Sequence, residues 1–382
     1  MHPRLRVGFL LTILTLLVTT SMVFAGAPGR PAVQDDEWVL VANHLHTAPG
    51  GSTPWESGLK HILEYCSNRK IEFAFITDHN SIESWFLKNF HTTGACTPIG
   101  GMEWTSDGGH ANLVAFQASG PEGAILPCNS KGLPPCPPGA GQDYQGMVNA
   151  THARNGLVLI NHPVLTHYKW PDATFHADAV EINRTWSDKT GQAARAWWHR
   201  RLLLGEKLTA VGGSDYHYFR PLRDEALDDC LRPLDSSPWS PDIETPVNLV
   251  RVPEKTVPAV LAAIKAGHVQ VLRDLEQPRV FIGCDVDGDG NFDDFMMGDR
   301  VRAMPGKPFD LQLRVVGGKG RKLNLIEAKV GAPSRSTKVE SVPVTSDDFR
   351  LPLTRTSEAG VVRFLRAEID DRGDTVTNPV YY

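Results

Sequence analysis

The amino-acid sequence predicts an α/β protein, a distorted β/α barrel followed by a small antiparallel β-sandwich. Three observations lead to that reading. Strand-like and helix-like runs alternate from Trp38 to about residue 274, histidines and carboxylates recur where the strand-like runs end, and the helix-like runs stop beyond Gln277. Alternation of this kind builds a parallel sheet flanked by helices, and strand C-termini are where a barrel assembles one site from distant segments.

The chain opens with an export signal. Arg4 and Arg6 precede the apolar stretch from Val7 to Thr20, and Val23-Phe24-Ala25 offers small residues for cleavage after Ala25. The stretch is short for a membrane span, and no later segment approaches ~20 uninterrupted apolar residues. Residues 1–25 are therefore expected to be removed, leaving a periplasmic or secreted protein with no stable membrane anchor, and 26–35 reads as a flexible leader. Losing Arg4 and Arg6 takes the formal charge from −5 to −7. That mild acidity argues against binding duplex nucleic acid, which calls for a basic face.

The barrel is expected over 36–274. Its strand-like runs are WVLVAN, FAFIT, CTPIGGMEW, NLVAF, LVLINHP, AVEINR, LTAVGGSD and NLVRV. Helix-like spans lie between them at 57–69, 82–90, QGMVNATHARN and GQAARAWWHRRLLLG, and TVPAVLAAIKAG follows; a polar, proline-rich loop occupies about 117–141. Over 275–382, RVFIG, FDLQLRVVG, LNLIEAKVG and VRFLRAEI are separated by turns, as in an antiparallel β domain. All six cysteines fall in the exported part, and Cys128 and Cys136 flank a Pro/Gly loop as the favoured disulfide pair. None lies beside the histidine motifs, so bridges or buried thiols are expected rather than metal ligation.

The candidate chemistry lies in those histidines and acids. His44 and His46 end VLVANHLHT, Asp78 and His79 follow FAFIT, Glu103 lies in IGGMEW and His110 in GGHANLVAF. His162 follows LVLIN, and Asp215 and His217 follow LTAVGGS. A single histidine is usually a surface or hydrogen-bonded core residue; this ordered set is the signal. Residues i and i+2 on an extended segment project to one side, so His44 and His46 can share an ion. Imidazoles combined with carboxylates suit zinc, manganese or iron rather than calcium. A bridging carboxylate such as Glu103 could join two cations, which would bring the pKa of a shared water near neutrality and hold the oxygens of a phosphate or carbonyl group. Arg184, at the end of AVEINR, is a candidate clamp for a substrate oxyanion; its bland alternative is pairing with a nearby acid.

At these residues the sequence resembles the PHP superfamily, named for polymerase and histidinol phosphatase. The likeness runs over nearly all of 38–220 through HxHT, TDH and GSDxH, and the exported form with a trailing β domain resembles the branch that includes carbaryl hydrolase. The resemblance implies a distorted seven-stranded barrel with a two- or three-metal centre. Carried over by motif, the metal ligands are His44, His46, His79, Glu103, His110, His162, Asp215 and His217, with Asp78 orienting His79. The family's HxHT often continues into a Ser-Asp-Gly turn, whereas this chain reads HTAPGGS; Ser52 stands where some trinuclear members carry a histidine. Two cations are therefore expected and a third stays open.

The expected function is an exported metal-dependent hydrolase acting on a small-molecule phosphoester. Glu103, His162, His217 and Arg184 are the catalytic candidates, His217 or His162 assisting the leaving group. A carbamate, amide or ester hydrolase on the same centre is the alternative, and a secreted binding protein with a structural metal is the reading from another class. Asp285, Asp287 and Asp289 in DVDGDGN resemble half of a calcium loop. The twelfth position is Met296, so an acidic hairpin turn is favoured over structural calcium.

Overall fold

The structure, a computed structural model, describes residues 38–48, 54–91, 94–106, 108–114, 144–164, 170, 176–183, 188–218 and 242–382. The expected signal peptide, the leader, the 117–141 loop, Arg184, Cys128, Cys136 and Cys230 lie outside them. No helix among the described residues is long and apolar enough to cross a membrane.

Apolar runs rich in β-branched and aromatic residues form strands buried on both faces, as central strands of a covered sheet require. In the barrel these are β1 (Trp38–His46), β2 (Phe73–Ile76), β3 (Thr97–Ser106), β4 (Gly109–Val114), β5 (Leu157–Asn161), β6 (Ala179–Asn183), β7 (Thr209–Gly212), β8 (Tyr216–His217), β9 (Val247–Arg251) and β10 (Val269–Leu272). Between them lie α1 (Glu56–Asn68), α2 (Tyr144–His152), α3 (Asp188–Leu203) and α4 (Val257–Ala266). The α4 helix shows how locally its bounds are written: the Thr256 side chain accepts from the Ala259 N–H, and Gly267 ends the helix at φ 89°. Residues 82–90 depart from the helical expectation and make two short 3-10 turns, Glu83–Phe86 and Lys88–His91.

Strands β1 to β7 lie side by side in chain order. Pairs β1–β2, β2–β3, β5–β6 and β6–β7 are parallel, as the alternating pattern implies. Strand β4 is the exception: it folds back antiparallel on β3 and pairs antiparallel with β5. Only Asp107 and Gly108 separate the two strands, and so short a connection permits only a hairpin. Closure back to β1 is made partly by side-chain amides. Asn248 on β9 accepts from the Gly212 N–H and donates to the Gly212 and Val41 carbonyls, while Asn378 does the same for both backbone groups of Ala210. Strand β8, which follows β7 after Gly213–Asp215, pairs parallel with β1.

The chain then continues as β11 (Arg279–Asp285), β12 (Phe295–Met296), β13 (Pro308–Val316), β14 (Lys322–Lys329), β15 (Lys338–Pro343), β16 (Asp348–Thr356), β17 (Arg363–Ile369), β18 (Thr375–Thr377) and β19 (Val380–Tyr381). Strands β12-β11-β13-β16 form one antiparallel sheet. Its inward residues, among them Val280, Ile282, Leu311 and Leu313, pack against Leu323, Leu325, Leu365 and Ala367 of β14 and β17. The second layer does not end there, because β18 pairs with β10 and carries the barrel sheet into the sandwich. Arg366 stacks over Trp198 of α3, with centroid distance 4.9 Å, and ion-pairs with Glu368, fastening the same seam. Cys66, Cys96 and Cys284 are buried free thiols.

Candidate metal centre

The eight expected ligands converge on one end of the barrel. His44 and His46 close β1, His79 lies just past β2, Glu103 within β3, and His162 just past β5; Asp215 follows β7 and His217 ends β8. His110 sits near the start of β4, opposite Thr105. Because β4 runs antiparallel, its first residues reach the same end of the barrel as the last residues of its neighbours.

The donor atoms crowd around two carboxylates. Glu103 Oε1 lies 3.1 Å from His44 Nε2, 3.0 Å from His110 Nδ1 and 3.3 Å from His162 Nε2, and Oε2 lies 2.5 Å from His79 Nδ1. Asp215 Oδ1 lies 3.1 Å from His44 Nε2 and 3.2 Å from His46 Nε2. Three overlapping sets each put their donors within reach of one ion: His44, His46, Glu103 and Asp215; Glu103, His110 and His162; and His46, His79 and His217.

The residues fit cations. His46 is fully buried, its Nδ1 has no hydrogen-bond partner, and Nε2 faces Asp215 and Glu103 without the geometry of a hydrogen bond. His79 Nε2 and His217 Nε2 stand 3.2 Å apart. A buried polar atom left unmatched is expensive, and crowding of lone-pair donors is what a metal ion would resolve. Backbone strain gathers at the same place. His44, His162 and Asp215 adopt φ of 66°, 30° and 56°, a region non-glycine residues seldom occupy. The register of β1 against β2 slips between Ala42 and Leu45, so the strict alternation expected of His44 and His46 is broken by a bulge, yet both imidazoles reach Asp215.

Supporting groups hold the ligands in place. Glu181 is buried in the middle of β6, its Oε1 2.8 Å from His44 Nδ1, and its Oε2 accepts from the His162 N–H. A carboxylate on Nδ1 fixes the tautomer that turns Nε2 toward the centre. Gly213 makes room for it, since a Cβ there would lie 1.9 Å from Glu181 Oε1. Asn161 donates to Glu103 Oε1 at 3.0 Å and to Asn112 Oδ1 at 2.9 Å. Glu181 is a further candidate the sequence reading passed over, although a charged residue inside the apolar run AVEIN was a visible signal. Asp78 does not contact His79 as expected; its carboxylate accepts from the Thr47 N–H and hydroxyl, and burial pushes it up to about 6. Trp104 is core, packed edge-on against Tyr144.

Electrostatics divides the imidazoles. Burial would push His44 down, but Glu181, Asp215 and Glu103 together raise it well above the usual histidine value. His79 is raised the same way, by Glu103 against its own burial. Burial, with His217 beside it, holds His46 well below that value, and burial also lowers His217. Glu103 stays ionised far into acid: burial opposes this, but His110, His79 and His44 overrule it. His79, His110 and His217 keep 21%, 17% and 15% of their side chains exposed, so the cluster opens to solvent on that side.

No protein-family model matches the chain, and no curated protein matches it. Among solved structures it is similar to a two-domain protein from Bacteroides vulgatus described as containing a predicted PHP-like metal-dependent phosphoesterase. That match has 12% identity and a TM-score of 0.44, and covers 94% of this chain and 99% of the other. It is also similar to PsfC from Pseudomonas syringae, at 14% identity and a TM-score of 0.41, over 60% of this chain and 87% of that one. A third, a candidate metal-dependent phosphoesterase from Bifidobacterium adolescentis, matches at 12% identity and a TM-score of 0.33, over 47% and 87%. Likenesses this distant assign no activity, and the functional reading stands on the donor geometry.

Proposed function

We propose that this chain is an exported metal-dependent hydrolase of PHP type that cleaves small-molecule phosphoesters. The observation that carries the reading is the convergence of six imidazoles on Glu103 and Asp215 in a cluster open on one side. A structural site would be closed. Two divalent cations, zinc, manganese or iron, suit this mixed nitrogen and oxygen set, with a third open at His46, His79 and His217. Such cations supply an activated water near neutral pH and neutralise charge developing on the ester oxygens.

The chain's own residues do the rest. Glu103 belongs to two of the three sets, its Oε2 also touches His79 of the third, and, held by Asn161, it would be the carboxylate shared between cations. Glu181 fixes His44, and the strained backbone at His44, His162 and Asp215 presets the ligand directions. The lowered pKa of His217 suits it to ligation more than to proton donation. His162 is deeply buried, so help to a leaving group falls to the exposed side of the cluster. Arg184 follows Asn183 at the end of β6, and an oxyanion clamp is the role proposed for it.

The test is to purify the protein, quantify bound metal, and assay aryl phosphate mono- and diesters beside aryl esters and carbamates. Turnover of the phosphoesters, lost with the metal, supports the proposal. Turnover of carbon substrates alone would overturn it and favour the carbaryl-hydrolase-like branch. Export is checked by N-terminal sequencing of the protein expressed in bacteria, where a start at Gly26 is expected.

A further inference from the structure

Helix α1 buries Leu59, Ile62, Leu63 and Cys66, the positions i, i+3, i+4 and i+7 of one helical face. That face packs on the outer side of the barrel sheet. Side chains alternate along β2: Phe73 and Phe75 join Ile99 in the cluster inside the barrel, while Ala74 and Ile76 join the cluster under α1. The parallel register of β2 and β3 sets Phe73 opposite Thr97 and Phe75 opposite Ile99. Cys96 comes one residue before Thr97, so alternation turns it the other way, toward α1. It is buried there in the same cluster as Cys66.

The backbone brings the two cysteines to one place. Helix α1 turns directly into β2, with the Ile71 N–H donating to the Cys66 carbonyl at 2.8 Å, and the Thr97 N–H donates to the Glu72 carbonyl at 2.8 Å. Cys66 and Cys96 therefore both border the Ile71-Glu72 segment, on the face that α1 covers. The Cys66 thiol hydrogen-bonds with Cys96, and that contact together with burial holds its pKa well above the usual thiol value. No other cysteine among the described residues lies in this cluster, and Cys284 belongs to the sandwich core.

We propose that Cys66 and Cys96 are joined by a disulfide in the exported protein. The proposal rests on the export reading for its oxidant, and on the packing of α1 against β2 and β3 for its geometry. A disulfide needs two cysteines held close together, and exported chains fold where such bonds form and persist. The oxidant is a small-molecule or protein disulfide of that compartment. One cysteine thiolate attacks it, forming a mixed disulfide and releasing one thiol; the second cysteine then displaces the other. One S–S bond forms as one breaks, and the two cysteine protons and two electrons end on the released thiols. Burial excludes the oxidant once α1 is seated, so the exchange takes place as the helix closes on the sheet. The bridge closes a loop reaching 30 positions along the chain, which holds β2, His79 and both 3-10 turns. Restricting that loop in the unfolded chain stabilises the fold on the His79 side of the metal centre.

Two preparations of the full chain test the pairing. One is the periplasmic fraction of bacteria expressing it; the other is denatured, reduced chain refolded with a chelator in mixed reduced and oxidised glutathione. Both are acid-quenched, alkylated and digested with trypsin without reduction, and Arg69, Lys70 and Lys88 provide cleavage between the two cysteines. Mass spectrometry should find a Cys66–Cys96 cross-linked peptide as the dominant form in both. Reductant should lower the wild-type melting temperature by at least about 5 °C more than that of the double variant Cys66→Ala with Cys96→Ala. If that variant does not fold, the wild-type peptide map decides. Alkylated thiols at both positions in either preparation, or a link from either cysteine to a different one, would overturn the proposal. A cross-link in the refolded chain beside an unprocessed, intracellular protein would support the pairing and overturn export.

Discussion

Among the described residues, two regions bring three or more potential ligand residues within reach of a single ion, and they do so in opposite ways. At the barrel end, donors arrive from β1 to β5 and from β7 and β8, face inward, and are mostly buried, with His79, His110 and His217 on the open side. In the 285–291 turn, Asp285, Asp287 and Asp289 come from one short stretch, and Asp287 and Asp289 face solvent. The turn's own backbone has already claimed these carboxylates. Gly288 and Gly290 donate to Asp285, the Asp289 N–H to Asp287, and the Asn291 N–H to Asp289. Asp294 takes the N–H groups of Val286 and Asp287. Proximity of acids is therefore a weak sign of a metal site. The stronger sign is a buried donor such as His46, crowded among other donors with no hydrogen bond of its own.

The sharpest way to test that contrast is to remove the carboxylate that touches most of the centre. Glu103→Gln should lose bound metal and lower turnover by several kcal/mol of transition-state stabilisation, on the order of a thousandfold or more. Metal analysis and kcat/KM on the best aryl phosphate measure it. A variant that binds full metal and turns over normally would contradict the central place given to Glu103. Glu181→Gln is expected to act more gently, because it touches the centre only through His44 and the His162 backbone. Metal affinity should fall about 10- to 100-fold, read by competition with a chelating dye. Wild-type affinity in this variant would make Glu181 a packing residue.

The difference between the two regions also explains what the sequence disclosed. The eight centre residues stood out because each interrupts or borders an apolar run, and a strand bounded by a histidine or acid has few reasons to be so. The antiparallel return of β4 was not apparent, since GGHANLVAF has the same composition as a parallel strand; only the two-residue link before it marks a hairpin. Asn248 and Asn378 were silent as well. Each looks like an ordinary polar residue, and its role in tying the β7 edge depends on partners 36 and 168 residues away. The union of barrel and sandwich through β10 and β18 is non-local in the same sense, joining residues about a hundred positions apart. Residues 82–90 carry a helix-like pattern, but Trp85 fills the space over Gly100, where a Cβ would lie 1.4 Å from its indole nitrogen, and the segment is held in short turns.

A milder perturbation is pH acting on the metal-free protein. His44 and His79 have raised folded-state values, so they bind protons more readily folded than unfolded. Their contribution to stability is full below the unfolded value near 6.5 and is lost as pH rises through the raised values. Glu103 works from the other side: it is lowered, so its contribution is present above its unfolded value near 4.5 and is lost only in strong acid. Without metal, the melting temperature should therefore fall as pH rises above about 6.5, as the positive charges opposing Glu103, Glu181 and Asp215 disappear. Added zinc or manganese should restore it, because a cation replaces those protons. A metal-free melting temperature that is flat or rising over that range would contradict the charge balance described for the centre.

The smallest expected effect lies in the acidic turn. Asp287→Asn with Asp289→Asn keeps side chains of the same shape that can still accept from the Asp289 and Asn291 N–H groups, so the turn has no reason to open. Gly288 and Gly290, at φ of 81° and 86°, supply the backbone freedom whatever the charge of their neighbours. The double variant should keep the wild-type melting temperature, bound-metal content and turnover, and calcium should shift the melting temperature of neither protein. A calcium-dependent rise in the wild type that the double variant lacks would show that backbone hydrogen bonds leave these carboxylates enough lone pairs for an ion. Satisfied donors would then be no guide to where this protein binds metal, and the inference drawn from His46 would lose its footing.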